Sequence, residues 1–320
     1  FGFYMAWSIG ANDAANAMGT SVGSKAITFK EAIIIAAIFE FGGAVLAGAG
    51  VADTMRKGIV DPGLFMDAAL FPLGNGADYF LWGMMAALIS AALWIHIAAF
   101  LGWPVSTTHS IVGAITGFGL VSVGVDNIQW GSLLFIVGSW FTSPIIGGLL
   151  AFLVFSVIRK FIMEAPDPNK GIRIFTPIMS FPVFAVLTWM LFTKGLKNVK
   201  GTLAEWGIGS TETLIASLVV GAIGATLFAM YVRKIEIDPN AESAERMATI
   251  EKAFRYLQII TACFVAFAHG SNDVANSIGP LAAIINTIEA GTISAQVPVP
   301  TWVLPGCCPA SSVWGGPRSF

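Results

Sequence analysis

Residues 10–19 read Gly-Ala-Asn-Asp-Ala-Ala-Asn-Ala-Met-Gly, and residues 270–279 read Gly-Ser-Asn-Asp-Val-Ala-Asn-Ser-Ile-Gly. Six of these ten positions are identical at an offset of 260 residues, and both copies sit inside apolar stretches. A carboxylate inside a bilayer is costly, and those found there mark ion or substrate paths. A polar break duplicated in two halves of an apolar chain is the pattern of a transporter binding site. Packing alone gives no reason for an Asp between two Asn to occur twice.

The spacing within each copy has a chemical consequence. On a helix, Asn12 and Asn16 are i,i+4 neighbours and Asp13 and Asn16 are i,i+3 neighbours, so three oxygen-bearing side chains share one face. Asn272, Asp273 and Asn276 repeat the arrangement. Hard cations such as sodium or magnesium prefer carboxylate, amide and carbonyl oxygens. No Cys or paired His accompanies them, which argues against zinc or copper. Gly10, Gly19, Gly270, Gly279 and Pro280 predict a helix broken near each copy, with unwound carbonyls free to join the ligands. The plainer alternative is that Asn and Asp cap half-helices or bond to neighbouring helices.

A second motif, Pro104-Val105-Ser106-Thr107-Thr108-His109-Ser110, places three consecutive hydroxyls after a proline. A helix starting there aims free N–H groups and its positive dipole end outward, which suits an anion. An ordinary N-cap would need only one hydroxyl. No Lys or Arg occurs in any of the three motifs, so helix ends and co-bound cations would have to neutralise an anion. Each ligand would then raise the affinity for the other by linkage.

The rest of the chain fits a bilayer. It is 56% hydrophobic and 11% charged, with mean hydropathy +0.77, whereas a soluble domain carries about 25% charged residues. A net charge of −2 gives no reason to expect a nucleic-acid partner. Cys263, Cys307 and Cys308 form neither a disulfide framework nor a metal pattern. The chain starts at Phe1 in an apolar run without a basic n-region, which reads as a fragment rather than a signal peptide. Stretches long enough to span lie near 1–22, 29–52, 78–101, 131–158, 174–193, 211–232 and 254–285. Residues 105–121 are shorter and follow the breaker Gly102-Trp103-Pro104, so 78–121 reads as two crossings or as a re-entrant helical hairpin.

Counting 78–121 as one up-and-back unit puts eleven basic residues on one side (among them Lys25, Arg159 and Arg233) and five on the other. The excess marks the cytoplasmic side, and the two Asn-Asp motifs then cross the membrane in opposite directions. If only 105–121 is re-entrant, a similar bias accompanies parallel repeats; the inverted arrangement is preferred because it gives the duplication a mechanical purpose. Residues 236–252 are the most polar in the chain and read as a solvated helical connector with Glu242 and Arg246 at i,i+4. Glu40, mid-span, is expected to pair or face a cavity. His109 and His269 adjoin the motifs and read first as hydrogen-bonding residues, second as proton relays; His96 is the third histidine.

At 10–28, 102–119 and 270–283 the chain resembles the inorganic phosphate transporter (PiT) family of cation-coupled symporters, through the duplicated G-x-N-D-x-A-N signature and the hydroxyl motif. The resemblance, from residue 1 to about 303, implies an all-α polytopic membrane protein: an inverted-repeat transporter with broken helices and a re-entrant hairpin. It implies sodium-coupled symport of inorganic phosphate, with no enzyme activity and no cofactor. It assigns Asn12, Asp13, Asn16, Asn272, Asp273 and Asn276 to sodium, and Ser106, Thr107, Thr108, Asn16, Asn276, Asp13 and Asp273 to phosphate. The expected organisation is a first repeat over 1–158 with its hairpin near 80–121, connecting helices over 159–232, a cytoplasmic linker over 233–252, the start of a second inverted repeat over 253–303, and an atypical tail over 304–320. A second hairpin of the family would fall near 366 by the 260-residue offset, beyond the last residue. The expected location is the plasma or inner membrane, with lipid as a partner and a homodimer compatible with the sequence. The alternatives are a proton-coupled permease, one for sulfate or another oxyanion, a structural or channel-like subunit, and remotely an intramembrane aspartyl protease using Asp13 and Asp273. A protease dyad needs no Asn partners, whereas a cation site does.

Overall fold

Residues 1–47, 58–195, 209–238 and 241–293 are described in the computed structural model. Nine α-helices occur among them: α1 (Gly2–Gly23), α2 (Phe29–Ala47), α3 (Gly76–Leu101), α4 (Thr107–Ser122), α5 (Trp130–Ile158), α6 (Pro168–Met190), α7 (Ser210–Val232), α8 (Ser243–Asn272) and α9 (Val274–Ala290). No strand occurs among the described residues beyond one bridge between Val60 and Ile128. Arg56, Lys57, Lys197, Lys200, Cys307, Cys308, the end of the 29–52 stretch and the tail 304–320 lie outside the described residues.

Among the described residues, four helical stretches have the length and hydropathy of a membrane span: 76–101, 130–163, 168–193 and 210–232. The other stretches expected to span are more polar: α2 carries Lys30, Glu31 and Glu40, α8 begins in the charged 243–255 stretch, and α1 carries the Asn-Asp motif.

Local chemistry sets the boundaries. Thr28 and Glu31 form a reciprocal capping box at the start of α2, with the Thr28 N–H donating to Glu31 Oε2 at 2.7 Å and the Glu31 N–H to Thr28 Oγ1 at 3.3 Å. α3 ends at Gly102 in a left-handed conformation (φ 71°), and Pro104 prevents continuation. α4 restarts on Ser106, whose hydroxyl accepts from the His109 N–H at 3.2 Å. α6 opens with Asp167 as cap and Pro168 in its first turn.

The described residues divide into two compact units, one formed by those within 1–136 and from Ala262 to residue 293, the other by those within 137–261. In the first unit, α3 and α4 fold back on each other, with Gly83 pressed against the Phe118 ring. The bridge from Val60 to Ile128, reinforced by the Gln129 N–H donating to Ile59 O at 3.0 Å, puts the far end of α4 beside the approach to α3. Residues 76–122 therefore leave and return on one side. The 16 residues of α4 reach about 24 Å, short of a hydrocarbon core of about 30 Å. The hairpin is re-entrant, and its tip meets α1 at Asn12, midway along that helix.

The two motif copies run in opposite directions. Gly2 lies against Leu281, while Asp13 lies in electrostatic reach of Asp273, so advancing along α1 matches retreating along α9. The expected helix breaks are realised in one copy only. α1 is continuous through Gly10–Gly19, because a lone glycine costs a helix only about 1 kcal/mol. In the second copy α8 ends at Asn272 and α9 starts at Val274, with Asp273 at the joint and the Asn276 N–H bonding back to Asp273 O at 3.0 Å.

In the second unit α6 packs along α7, where Gly221 and Gly224 admit Phe181 and Phe184. Ile162, Ile172, Val232, Ile237, Ile250 and Ala253 close an apolar cluster at one end of that pair. Asn169 clamps the Ile237 backbone with two bonds of 2.8 Å. The polar connector is thus folded onto the helices, and from Ser243 it is already part of α8.

Candidate functional site

Three elements of the first unit converge: the middle of α1, the tip of the α3–α4 hairpin, and the α8–α9 joint. Asn12 fixes the first to the second. Its Nδ2 donates to Trp103 O at 3.0 Å, and its Oδ1 accepts from the Val105 N–H at 3.3 Å. One amide thereby satisfies a carbonyl and an N–H on either side of Pro104, groups that the break in the hairpin leaves without helical partners.

This staple brings the hydroxyl run to the second motif. Thr107 Oγ1 and Thr108 Oγ1 each donate to Asp273 Oδ1 at 3.2 Å. Asn276 Nδ2 lies 3.0 Å from Thr108 Oγ1 and 3.4 Å from the same Asp273 oxygen. Thr107, bonded to Asp273, also lies near Asp13. Asn16 donates to Asp13 Oδ1 at 3.3 Å, and Asn272 approaches Asp273 Oδ1 at 3.5 Å.

Burial separates these residues. Asp13, Asn12, Thr107 and Asn276 are buried, Asp273 and Thr108 are half-buried, and Asn16, Asn272 and Ser106 are exposed. Ser106 serves as the cap of α4. Among the described residues, the buried polar atoms without a hydrogen-bond partner include Asp13 Oδ2, Asn276 Oδ1, Glu40 Oε1 and His269 Nδ1. Glu40 is 2% exposed and feels the charges of both Asp13 and Asp273. His269, one turn before Asp273 on α8, interacts electrostatically with it.

Such a site concentrates carboxylates without a Lys or Arg among the residues just named. Unpaired buried acceptors and clustered carboxyl groups fit an oxygen-seeking cation better than they fit a packing role. The threonine hydroxyls, beside the N-terminus of α4, supply donors that an anion can use.

Sequence reasoning found the two motifs and the hydroxyl run; it left out what holds them in place. Gly43 on α2 lies against the backbone of Phe267 and Ser271, and Gly270 on α8 against the backbone of Glu40. These glycines let α2 and α8 approach backbone to backbone, which carries Glu40 to the aspartates. The Gly42-Gly43 pair inside an apolar span was the available signal. The role of Asn12 as a staple for the hairpin has no signature in the sequence.

The phosphate transporter family profile matches residues 9–313. A "Putative phosphate permease" of Haemophilus influenzae is 43% identical over 307 residues, covering 95% of this chain and 70% of that protein. "Inorganic phosphate transporter 2-1, chloroplastic" of Arabidopsis thaliana is 36% identical over 342 residues, covering 99% of this chain and 53% of that protein. A solved structure described as "The sodium-dependent phosphate transporter" superposes with a TM-score of 0.78 at 36% identity, covering 99% of this chain and 74% of that one.

Proposed function

Because the chain belongs to the phosphate transporter family, whose members move phosphate across membranes, we propose that it is a sodium-coupled phosphate symporter of the cell membrane. The observation that carries this reading is the meeting of Asp13 and Asp273 across the hydroxyls of Thr107 and Thr108. The two aspartates, with Asn12, Asn16, Asn272 and Asn276, form the sodium ligands. Thr107, Thr108 and Ser106 donate to phosphate, and Asn16 and Asn276 line the same space. Asp13 and Asp273 touch phosphate through the cations they hold, since a bare carboxylate repels an anion. The sodium-dependent structural neighbour supports the choice of cation.

Proton coupling is the second reading. It is favoured by one observation, the buried carboxyl of Glu40 close to Asp13 and Asp273.

Uptake of radiolabelled phosphate into proteoliposomes separates the two. An imposed sodium gradient is expected to stimulate uptake, and Asp13→Asn and Asp273→Asn are each expected to reduce the sodium-driven rate at least about a hundredfold, as loss of a charged ligand of several kcal/mol would. Uptake driven by a proton gradient and indifferent to sodium would overturn the sodium reading.

A further inference from the structure

A hydroxyl has one proton, and it can donate that proton to one acceptor at a time. Thr107 and Thr108 both spend theirs on Asp273 Oδ1, at 3.2 Å each. The same oxygen is approached by Asn276 Nδ2 at 3.4 Å and by Asn272 Nδ2 at 3.5 Å. Asp273 is therefore a carboxylate whose solvation is supplied by the groups read above as phosphate donors.

We infer that Thr107 and Thr108 act as a donor switch, whose hydroxyls solvate either the Asp273 carboxylate or the transported anion, so that a cation on Asp273 is what releases them to phosphate. The inference rests on the phosphate-symport reading of the site and adds how the two ligands are coupled.

When Thr107 and Thr108 turn to phosphate, Asp273 loses two donors. Half-buried beside Asp13 and Glu40, its carboxylate then calls for a replacement. A sodium ion on its oxygens supplies one. Conversely, a cation docking on Asp273 Oδ1 repels the two hydroxyl protons and turns them outward. No movement of a helix is required for this exchange; rotation of two hydroxyls about their Cβ–Oγ1 bonds suffices. Asn276 fits as the switch's pivot. Its Nδ2 donates to Thr108 Oγ1 at 3.0 Å, which leaves the Thr108 proton free to point either way. Thr107, bonded to Asp273, near Asp13 and 2% exposed, links the exchange to both motif copies.

The switch makes a prediction opposite to the one made by simple ligation. If a threonine oxygen were a sodium ligand, removing it would weaken sodium binding. If threonine bound phosphate and nothing else, its removal would leave phosphate-free sodium binding unchanged. In the switch, the hydroxyls compete with sodium for Asp273, so their removal strengthens sodium binding when phosphate is absent.

The test is sodium titration of the purified chain in detergent, read by tryptophan fluorescence at constant ionic strength with choline as replacement, with and without inorganic phosphate. The variants are the isosteric double change Thr107→Val/Thr108→Val and the hydroxyl-retaining Thr107→Ser/Thr108→Ser. The expected result for the valine pair is at least about fivefold tighter sodium binding without phosphate, with the phosphate-induced gain in sodium affinity lost; fivefold is the lower end of common coupling strengths. The serine pair is expected to behave as the unmodified protein, which also shows that the backbone tolerates change there. Unchanged or weaker phosphate-free sodium binding in the valine pair overturns the switch. A valine pair that fails to fold leaves the single Thr108→Val change to be read by the same criterion. If phosphate fails to alter sodium affinity in the unmodified chain, the symport reading itself falls.

Discussion

Gly43 and Gly42 are adjacent on α2 and have opposite surroundings. A methyl group on Gly43 would run into the Phe267 carbonyl and the Ser271 amide of α8, whereas one on Gly42 would meet nothing within 4 Å. Gly43→Ala is expected to cost about 1–3 kcal/mol by overpacking and to push Glu40 away from the aspartates. Gly42→Ala is expected to be neutral or stabilising, because Ala is the better helix former. Thermal unfolding of both variants in detergent checks the pair, and equal effects would refute the close crossing. At this scale the sequence was most legible where chemistry is unusual. A repeated Asn-Asp in apolar surroundings announces itself. In sequence the Asn12 amide is indistinguishable from that of Asn16. That Asn12 also holds the hairpin tip depends on which backbone groups come to face it, and those belong to a loop 91 residues away.

The hairpin was half legible. Gly102-Trp103-Pro104 marks a break, and the 16 residues of α4 are visibly too few to cross. Whether 78–121 returns to its side of origin depended on a contact the sequence does not display, the bridge between Val60 and Ile128. The geometry predicts that cysteines introduced at Asp61 and Asp126, in a background with the native cysteines replaced, react with a membrane-impermeant maleimide from the same side of sealed vesicles. Labelling from opposite sides would refute the re-entrant hairpin. The helix breaks show the opposite failing. Flanking glycines suggested two; α1 runs through its copy, and the α8–α9 copy is interrupted only at Asp273, whose backbone stays in the helical region, because glycine permits an unwound backbone without demanding it.

Across the whole chain, apolar stretches located the helices well and said little about how the polar connector is used. Residues 236–252 looked like a plain tether. Ile237 and Ile250 are in fact buried with Ile162 and Val232 at one end of the α6–α7 pair. Ile250→Ala is expected to lower the stability of that unit by about 2–5 kcal/mol, measurable as an earlier unfolding transition, whereas an unchanged transition would mean the cluster is dispensable. The reason the sequence hid this is that two isoleucines among many charges carry no periodic signal. The hairpin has a further consequence. It is pinned at its base by Val60–Ile128, held along α3 by α1, where His96 meets Tyr4 and Trp7, and fastened at its tip by Asn12. A beam clamped along its length moves only with its support. A tilt of α1 therefore carries the hairpin tip and Asp13 together, as one plate.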